Sequence, residues 1–342
     1  MMQYLRFLIL PTLIILALWA SVSGHHWILI YLVLFNGFIV IGDALLGEDA
    51  ATPTYHYPQF LTGFLYLSFP LSCLLLSVSA YMTGAETLPF FESFMGNLFN
   101  TNLVENRDET SWWHLIGYVW VSGLILASGG TLTGYELVHH KNVGTKTDPA
   151  TAREGEPLFR FFVRATLREH RNAWHIERTH LKRRGHSFFS VHNQMLIGYL
   201  RSIIVTAWLF FVGGVSGVFL FLFIILVAKL VLEVVNYMEH YELVRISGTP
   251  VESRHSWNST KRLSSLLLYN LTRHSHHHEK GGLEFWKLKS YIDTPQVPYG
   301  YLSTLYFALF FPNKFRQRMK HKLDEWYLQL ASQDEKKLRL VI

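Results

Sequence analysis

Apolar residues in this chain do not alternate with polar ones at strand spacing; they run on in long blocks. Six blocks, at about 4–22, 27–46, 59–83, 115–134, 194–213 and 215–237, are long enough to cross the roughly 20-residue apolar layer of a bilayer as helices. Pro11 falls inside the first block, where it should kink the helix or mark its end. That block lacks a small-residue cleavage site and a second one follows at once, so it reads as a retained helix rather than a signal peptide. A further apolar stretch, 299–311, is too short to cross, and the basic run KFRQRMKHK after it marks an interfacial segment. The expectation is an all-α protein. It is a six-transmembrane-helix bundle with a cytoplasmic histidine-rich metal-binding cap, forming one integral membrane domain over 1–342.

Composition agrees: half the residues are hydrophobic and 16% are charged, a balance foreign to soluble domains. The net charge of +6 raises the question of nucleic acid, and the distribution of charge answers it. Basic residues crowd 141–192 and 245–339, while the acidic stretch 84–113 holds only Arg107. This is a positive-inside pattern, not a nucleic-acid footprint. It places 47–58, 135–193 and 238–342 in the cytoplasm and 84–114 outside. The single cysteine, Cys73, excludes a disulfide framework and a cysteine metal site.

Histidine changes the picture further. There are 18, and most lie between His139 and His278, in the stretches assigned to the cytoplasm. In LTRHSHHHEK, His274, His277 and His278 have offsets of 0, 3 and 4 and stack on one helix face; His276 points elsewhere. In TGYELVHHKN, His139 and His140 follow the fourth block. His240 closes the sixth, and His255 in RHSWN lies nearby. These seven imidazoles, with oxygen from Glu136, Glu239 or Asp148, form a nitrogen-rich set suited to iron and dioxygen. By contrast His170, His175 and His180 recur every five residues, so each is rotated about 140° from the last. They read as decoration on a basic amphipathic helix, and His186 and His192 are set aside with them. Lys229, Glu233, Asn236, Tyr237 and His240 share one face of the sixth block. Ionisable groups at such depth face a bundle interior and mark function.

The segments GDALLGEDA (42–50), TDPATAREGEPLFRFF (147–162), LKRRGHSFFS (181–190), NYMEHYELVR (236–245), RHSWNS (254–259) and LTRHSHHHEK (271–280) carry a resemblance. In their order, and together with PYGYLSTLYFALFFP near the end, they resemble the integral-membrane alkane 1-monooxygenases and xylene monooxygenase, of the membrane fatty acid desaturase and hydroxylase class. The resemblance implies a six-helix bundle over a histidine-ligated non-haem di-iron centre. It implies electrons from rubredoxin or a ferredoxin-like protein, a lipid-soluble substrate hydroxylated at a terminal methyl group, and residence in the bacterial inner membrane. His240, His274, His277 and His278 match the family's ligands, and His255 matches with them. Where the family has HELxHK followed some thirty residues later by EHNxGHH, this chain has the one segment GYELVHHKN. His139 and His140 therefore match either box, and two or three of the family's ligands have no counterpart.

Three readings follow. One is a monooxygenase acting on an alkane or alkyl-aromatic chain, with Phe64, Phe219, Phe221 and Phe223 as candidate channel walls. Another is an acyl-lipid desaturase or hydroxylase using the same metal. The last is a decayed relative that serves as a non-enzymatic membrane protein. A fused rubredoxin is not expected, since its iron site needs four thiolates.

Overall fold

The computed structural model describes residues 2–129, 143–145, 147–291 and 293–339. Among these every regular element is helical, and the extended pairings are two isolated bridges. The helices are α1 (Ile9–Val22), α2 (Trp27–Leu45), α3 (Gln59–Thr83), α4 (Pro89–Phe99), α5 (Leu103–Asp108), α6 (His114–Gly129), α7 (Leu158–Arg183) and α8 (Gln194–Glu239). They continue with α9 (Arg262–Leu267), α10 (His274–Glu279), α11 (Tyr301–Phe310), α12 (Pro312–Gln329) and α13 (Gln333–Arg339). Among the described residues four helices, Gln3–Val22, Trp27–Leu45, Gln59–Thr83 and Gln194–Glu239, are long and apolar enough to cross a membrane, and His114–Ser128 is a shorter apolar one.

Proline and glycine set the breaks. A 3-10 turn at Arg6–Leu8 precedes α1. Pro11, which has no N–H to give the Phe7 carbonyl, leaves that oxygen to the Tyr269 hydroxyl at 3.5 Å. The 46 residues of α8 would make a straight rod about 69 Å long, more than twice a bilayer's hydrocarbon thickness. Gly214, at φ 60° and ψ −152°, interrupts it. The two arms fold back on each other: a Cβ on Gly217 would lie 2.7 Å from the Leu209 carbonyl oxygen. Helix α7 confirms the reversal by touching both arms within two turns. Its Trp174 donates to Tyr199 at 3.2 Å and its Glu169 pairs with Lys229 at 3.0 Å. The blocks 194–213 and 215–237 thus enter the fold as separate rods. At the bend Gly213 lies so close to α3 that a Cβ there would sit 2.2 Å from the Ala80 carbonyl oxygen.

Two packed cores result. One gathers α1, α3, α6, the first arm of α8 and the opening turns of its return arm. The other gathers the return arm with α2, α7, α9, α11 and α12, and it carries the buried histidines at its edge. The segment 299–311 is the short helix α11, as its length requires.

Candidate metal centre

The return arm of α8 ends at His240, which caps the helix with its backbone N–H on the Asn236 carbonyl. The following chain is tied back at once. Trp257 N–H donates to the Glu239 carbonyl at 2.8 Å, and its indole donates to the Tyr241 carbonyl at 3.0 Å. This fixes the direction of the His240 ring.

The short helix α10 supplies the remaining histidines. Six residues do not hold a helix by propensity, so its position is set from outside. Arg273, immediately before it and 1% exposed, donates to the carbonyls of Leu288 (2.7 Å), Asp49 (3.1 Å) and Ala51 (2.9 Å). The Asp49 carboxylate lies 3.6 Å away and is shared with Arg6 at 3.0 Å. A guanidinium buried among carbonyls and one carboxylate makes a rigid anchor.

His240, His274 and His278 come together, with ligating atoms all within 4.8 Å of one another and all three rings buried. His274 Nε2 lies 3.3 Å from His240 Nε2 and 2.8 Å from His278 Nε2. Two nitrogens bonded to one cation at about 2.1 Å and at right angles are about 3 Å apart, so the donor set fits a single metal ion. On the other side of His274, Glu239 Oε1 lies 3.1 Å from Nδ1, an ion-pair contact without hydrogen-bond alignment. A carboxylate on the far nitrogen of a ligating imidazole fixes its tautomer and direction.

The other candidates take different places. His277 stands beside the trio, its ring 5.7 Å from those of both His274 and His278. His255 is outside it: Nδ1 accepts the Glu252 N–H at 2.9 Å and Nε2 is 2.7 Å from Glu335. His276 turns away to accept the Lys289 N–H at 3.0 Å. His139, His140 and Glu136 lie outside the described residues. His186 and His192 stack with centroids 3.8 Å apart, away from the site.

A cavity of about 110 Å³ opens onto the histidines. Its walls are Phe35 and Ile39 of α2, Leu124 and Ala127 of α6, Val231 of α8, Leu267 of α9 and Leu305 of α11, and Glu239, His274, His277 and His278 close one end. The phenylalanines expected as channel walls are not these. Phe219 and Phe223 are 60% and 57% exposed on the outer face of α8, whereas Phe221 and Phe64 pack in the other core. An apolar run shows that a helix is surrounded by apolar matter, but not which side meets lipid.

Sequence reasoning passed over Asp43, which shapes this cavity. Its buried carboxylate accepts Ser264 N–H at 3.1 Å and the Ser264 hydroxyl at 2.7 and 2.8 Å. It also accepts the Ser303 N–H and hydroxyl at 3.2 and 3.0 Å. Both serines lie in first turns, of α9 and α11, where amide donors have no helical partner. One anion therefore caps two helices that supply cavity wall. The chain passes so near that a Cβ on Gly300 would fall 2.1 Å from the carboxyl carbon. The sequence signal was an acidic residue at the end of an apolar block with two serines far downstream.

Comparison with known proteins bears on this arrangement. The model of the fatty acid desaturase family matches residues 101–308. An alkane 1-monooxygenase of Alcanivorax borkumensis is 30% identical, over 88% of this chain and 78% of its own length. The Pseudomonas putida alkane 1-monooxygenase is 29% identical over 92% and 83%. The hydroxylase component of a xylene/toluene monooxygenase from Pseudomonas putida is 27% identical over 59% and 54%. With the helical bundle and the histidine trio beneath an apolar cavity, these similarities establish that the chain belongs to the fatty acid desaturase family, among its integral-membrane alkane 1-monooxygenase relatives, and is an oxidoreductase of the monooxygenase kind.

Proposed function

We propose that this protein is a non-haem iron hydroxylase of the membrane, inserting one oxygen atom of O₂ into a C–H bond of an alkane, alkyl-aromatic or similar chain. The observation that carries this reading is the apolar cavity ending at His274, His277 and His278. Its walls are mainly aliphatic and aromatic, with Ser128, Asn236, Tyr301 and Tyr306 as the polar members, and the histidines present nitrogen donors to it.

His240, His274 and His278 would hold an iron ion, with His277, His139, His140 and His255 as the remaining candidates for a second. When bound, iron supplies the activation of O₂ that no side chain can provide. The protein's own part is separable from that. Glu239, 3.1 Å from the far nitrogen of His274, would keep that ring turned with Nε2 toward the trio once the site is filled. The aliphatic walls exclude water and hold an extended chain end-on. Asp43 fixes the two helices against which the chain rests.

In this reading the protein is one domain of six spans, α8 counting as two, in a bacterial inner membrane with its histidine face toward the cytoplasm. Electrons arrive from rubredoxin or a ferredoxin-like donor, whose acidic surface suits the basic cytoplasmic segments. The test is purified protein loaded anaerobically with Fe(II), then supplied with rubredoxin, its reductase, O₂ and octane. Bound iron and a terminal alcohol are expected. Iron-loaded protein that yields no oxygenated product from octane or longer chains would overturn the reading. A product two hydrogens lighter would transfer it to desaturation.

A further inference from the structure

The histidine-capped cavity is not the only hollow along α11. Between α2 and α11 runs a groove of about 500 Å³ lined by Val40, Tyr299, Phe307, Phe310 and Phe311 among others, with Lys261 at its rim. Its outer edge is open: Val40, Phe310 and Phe311 are 46%, 58% and 54% exposed. These side chains are apolar and belong to a membrane helix and its interfacial neighbour, so the groove faces lipid. Tyr306 belongs to both walls, lining the inner cavity and the outer groove alike.

Tyr306 differs from most of the enclosed tyrosines of the bundle; Tyr301 shares its unpartnered hydroxyl but lines the inner cavity and not the groove. Tyr31 donates to the Leu13 carbonyl at 2.8 Å, Tyr118 to Ser21 at 3.2 Å, Tyr237 to Glu156 at 2.6 Å and Tyr269 to Phe64 at 3.1 Å. The Tyr306 hydroxyl is buried and has no hydrogen-bond partner among the described residues. Turning a hydrogen-bonded buried tyrosine leaves a polar group unsatisfied; turning Tyr306 breaks no such bond. Its backbone is held all the same, because Asp43 grips Ser303 one turn earlier. The ring is thus a side chain held by packing alone on a helix fixed at its first turn.

We propose that Tyr306 is the gate between the lipid-facing groove and the catalytic cavity, and that the alkyl chain of the substrate enters by way of the groove. The occupant is an alkyl chain because the groove shares Tyr306 with the cavity assigned to that chain. The proposal rests on the hydroxylase reading, to which it adds a route and a rate-controlling residue. The ring swings out of the partition, the chain slides past, and the ring closes behind it. No covalent step is involved.

The test measures entry without turnover. Metal-free protein in nanodiscs is mixed with a conjugated-tetraene hydrocarbon, and energy transfer from tryptophan reports its arrival. Tyr306→Trp should slow entry about tenfold and Tyr306→Ala should speed it, each with a smaller change in equilibrium affinity. Tyr306→Phe should enter at the native rate, since the hydroxyl it loses holds nothing. The same order should appear in kcat/KM of iron-loaded protein for long chains. A complementary arm places Val40→Cys in a Cys73→Ser background and attaches a dodecyl maleimide, which should block entry from the groove.

Probe that binds at one rate in all three variants and in the blocked protein overturns the gate and leaves the hydroxylase reading standing. A resident structural lipid in the groove would give that result. A Tyr306→Phe variant as slow as Tyr306→Trp also overturns it, because the hydroxyl would then be holding the ring. Failure of the probe to bind even the native protein counts against the apolar-substrate reading itself, and the gate falls with it.

Discussion

Ser303 gives both of its donors to Asp43: the backbone amide at 3.2 Å and the hydroxyl at 3.0 Å reach the same oxygen. Ser264, 39 positions earlier in the sequence, makes the matching pair of contacts and in turn accepts the Leu302 N–H at 3.0 Å. The carboxylate thus stands at a junction of α2, α9 and α11. Asp43→Ala should leave these donors without an acceptor, at a cost of about 3 kcal/mol or more. Asp43→Asn, which turns an N–H toward other N–H groups, should be nearly as damaging. Unfolding in mixed micelles by a denaturing detergent measures it; an unchanged midpoint for the alanine variant would contradict the junction.

Removing an imidazole from the trio should empty the centre without unfolding the bundle. His274→Ala takes away the ring that lies between the other two, 3.3 and 2.8 Å from them. Iron per chain, counted by elemental analysis after gel filtration, should fall most for this variant. His255→Ala, which alters a histidine outside the trio, should lower it less. Equal losses at both positions would show that the trio is not the principal site.

Glu239 is expected to act through His274. Glu239→Gln should reduce metal affinity by about 10- to 100-fold, in line with other carboxylates that orient a ligating imidazole, while the helix end persists because Trp257 N–H binds the backbone carbonyl at 239. Competition with a chelator gives the affinity directly. Native affinity in the glutamine variant would remove the orienting role.

Acid should release the C-terminal helix before the bundle. Burial would raise the Glu335 carboxyl, yet hydrogen bonds from His255 and the Ser332 backbone outweigh it and bring the group down to about 2. The folded value lies below the ordinary carboxyl value of 4.5. The stabilisation is therefore complete above that ordinary value and is lost as pH falls toward 2. Hydrogen exchange across 333–339 should rise over that window. In Glu335→Gln it should be high already at neutral pH and show no such step.

Cavity length should set substrate length. Ile39 is buried in the cavity wall, and Ile39→Phe adds bulk there. Preference in mixed-alkane competition should move toward shorter chains, about tenfold or more for a difference of one or two methylenes. Unaltered product ratios would place the chain elsewhere.

The sequence displayed the long apolar helices, the helical face of His274, His277 and His278, and the place of His240 at a helix end, because each is written in local spacing. The break at Gly214 was legible as the boundary between two apolar blocks. What escaped was set by pairing across the chain. His255 carries the same side chain as the trio, and its partners, the Glu252 N–H and Glu335 80 positions later, set its position apart from theirs. Asp43 has no periodicity to announce it, and its meaning lies in two serines more than 200 positions away. The cavity walls come from six helices whose apolar residues look alike whether they meet lipid, core or a hollow.

The bend at Gly214 carries a consequence for inherited damage. It returns His240 toward the level at which the first arm begins. A variant that let the two arms straighten, or a bulkier residue wedged against Ala80 at position 213, would pull one imidazole out of reach of its partners. Every ligand would still be present in such a protein, and the lesion would lie far from the chemistry it abolished.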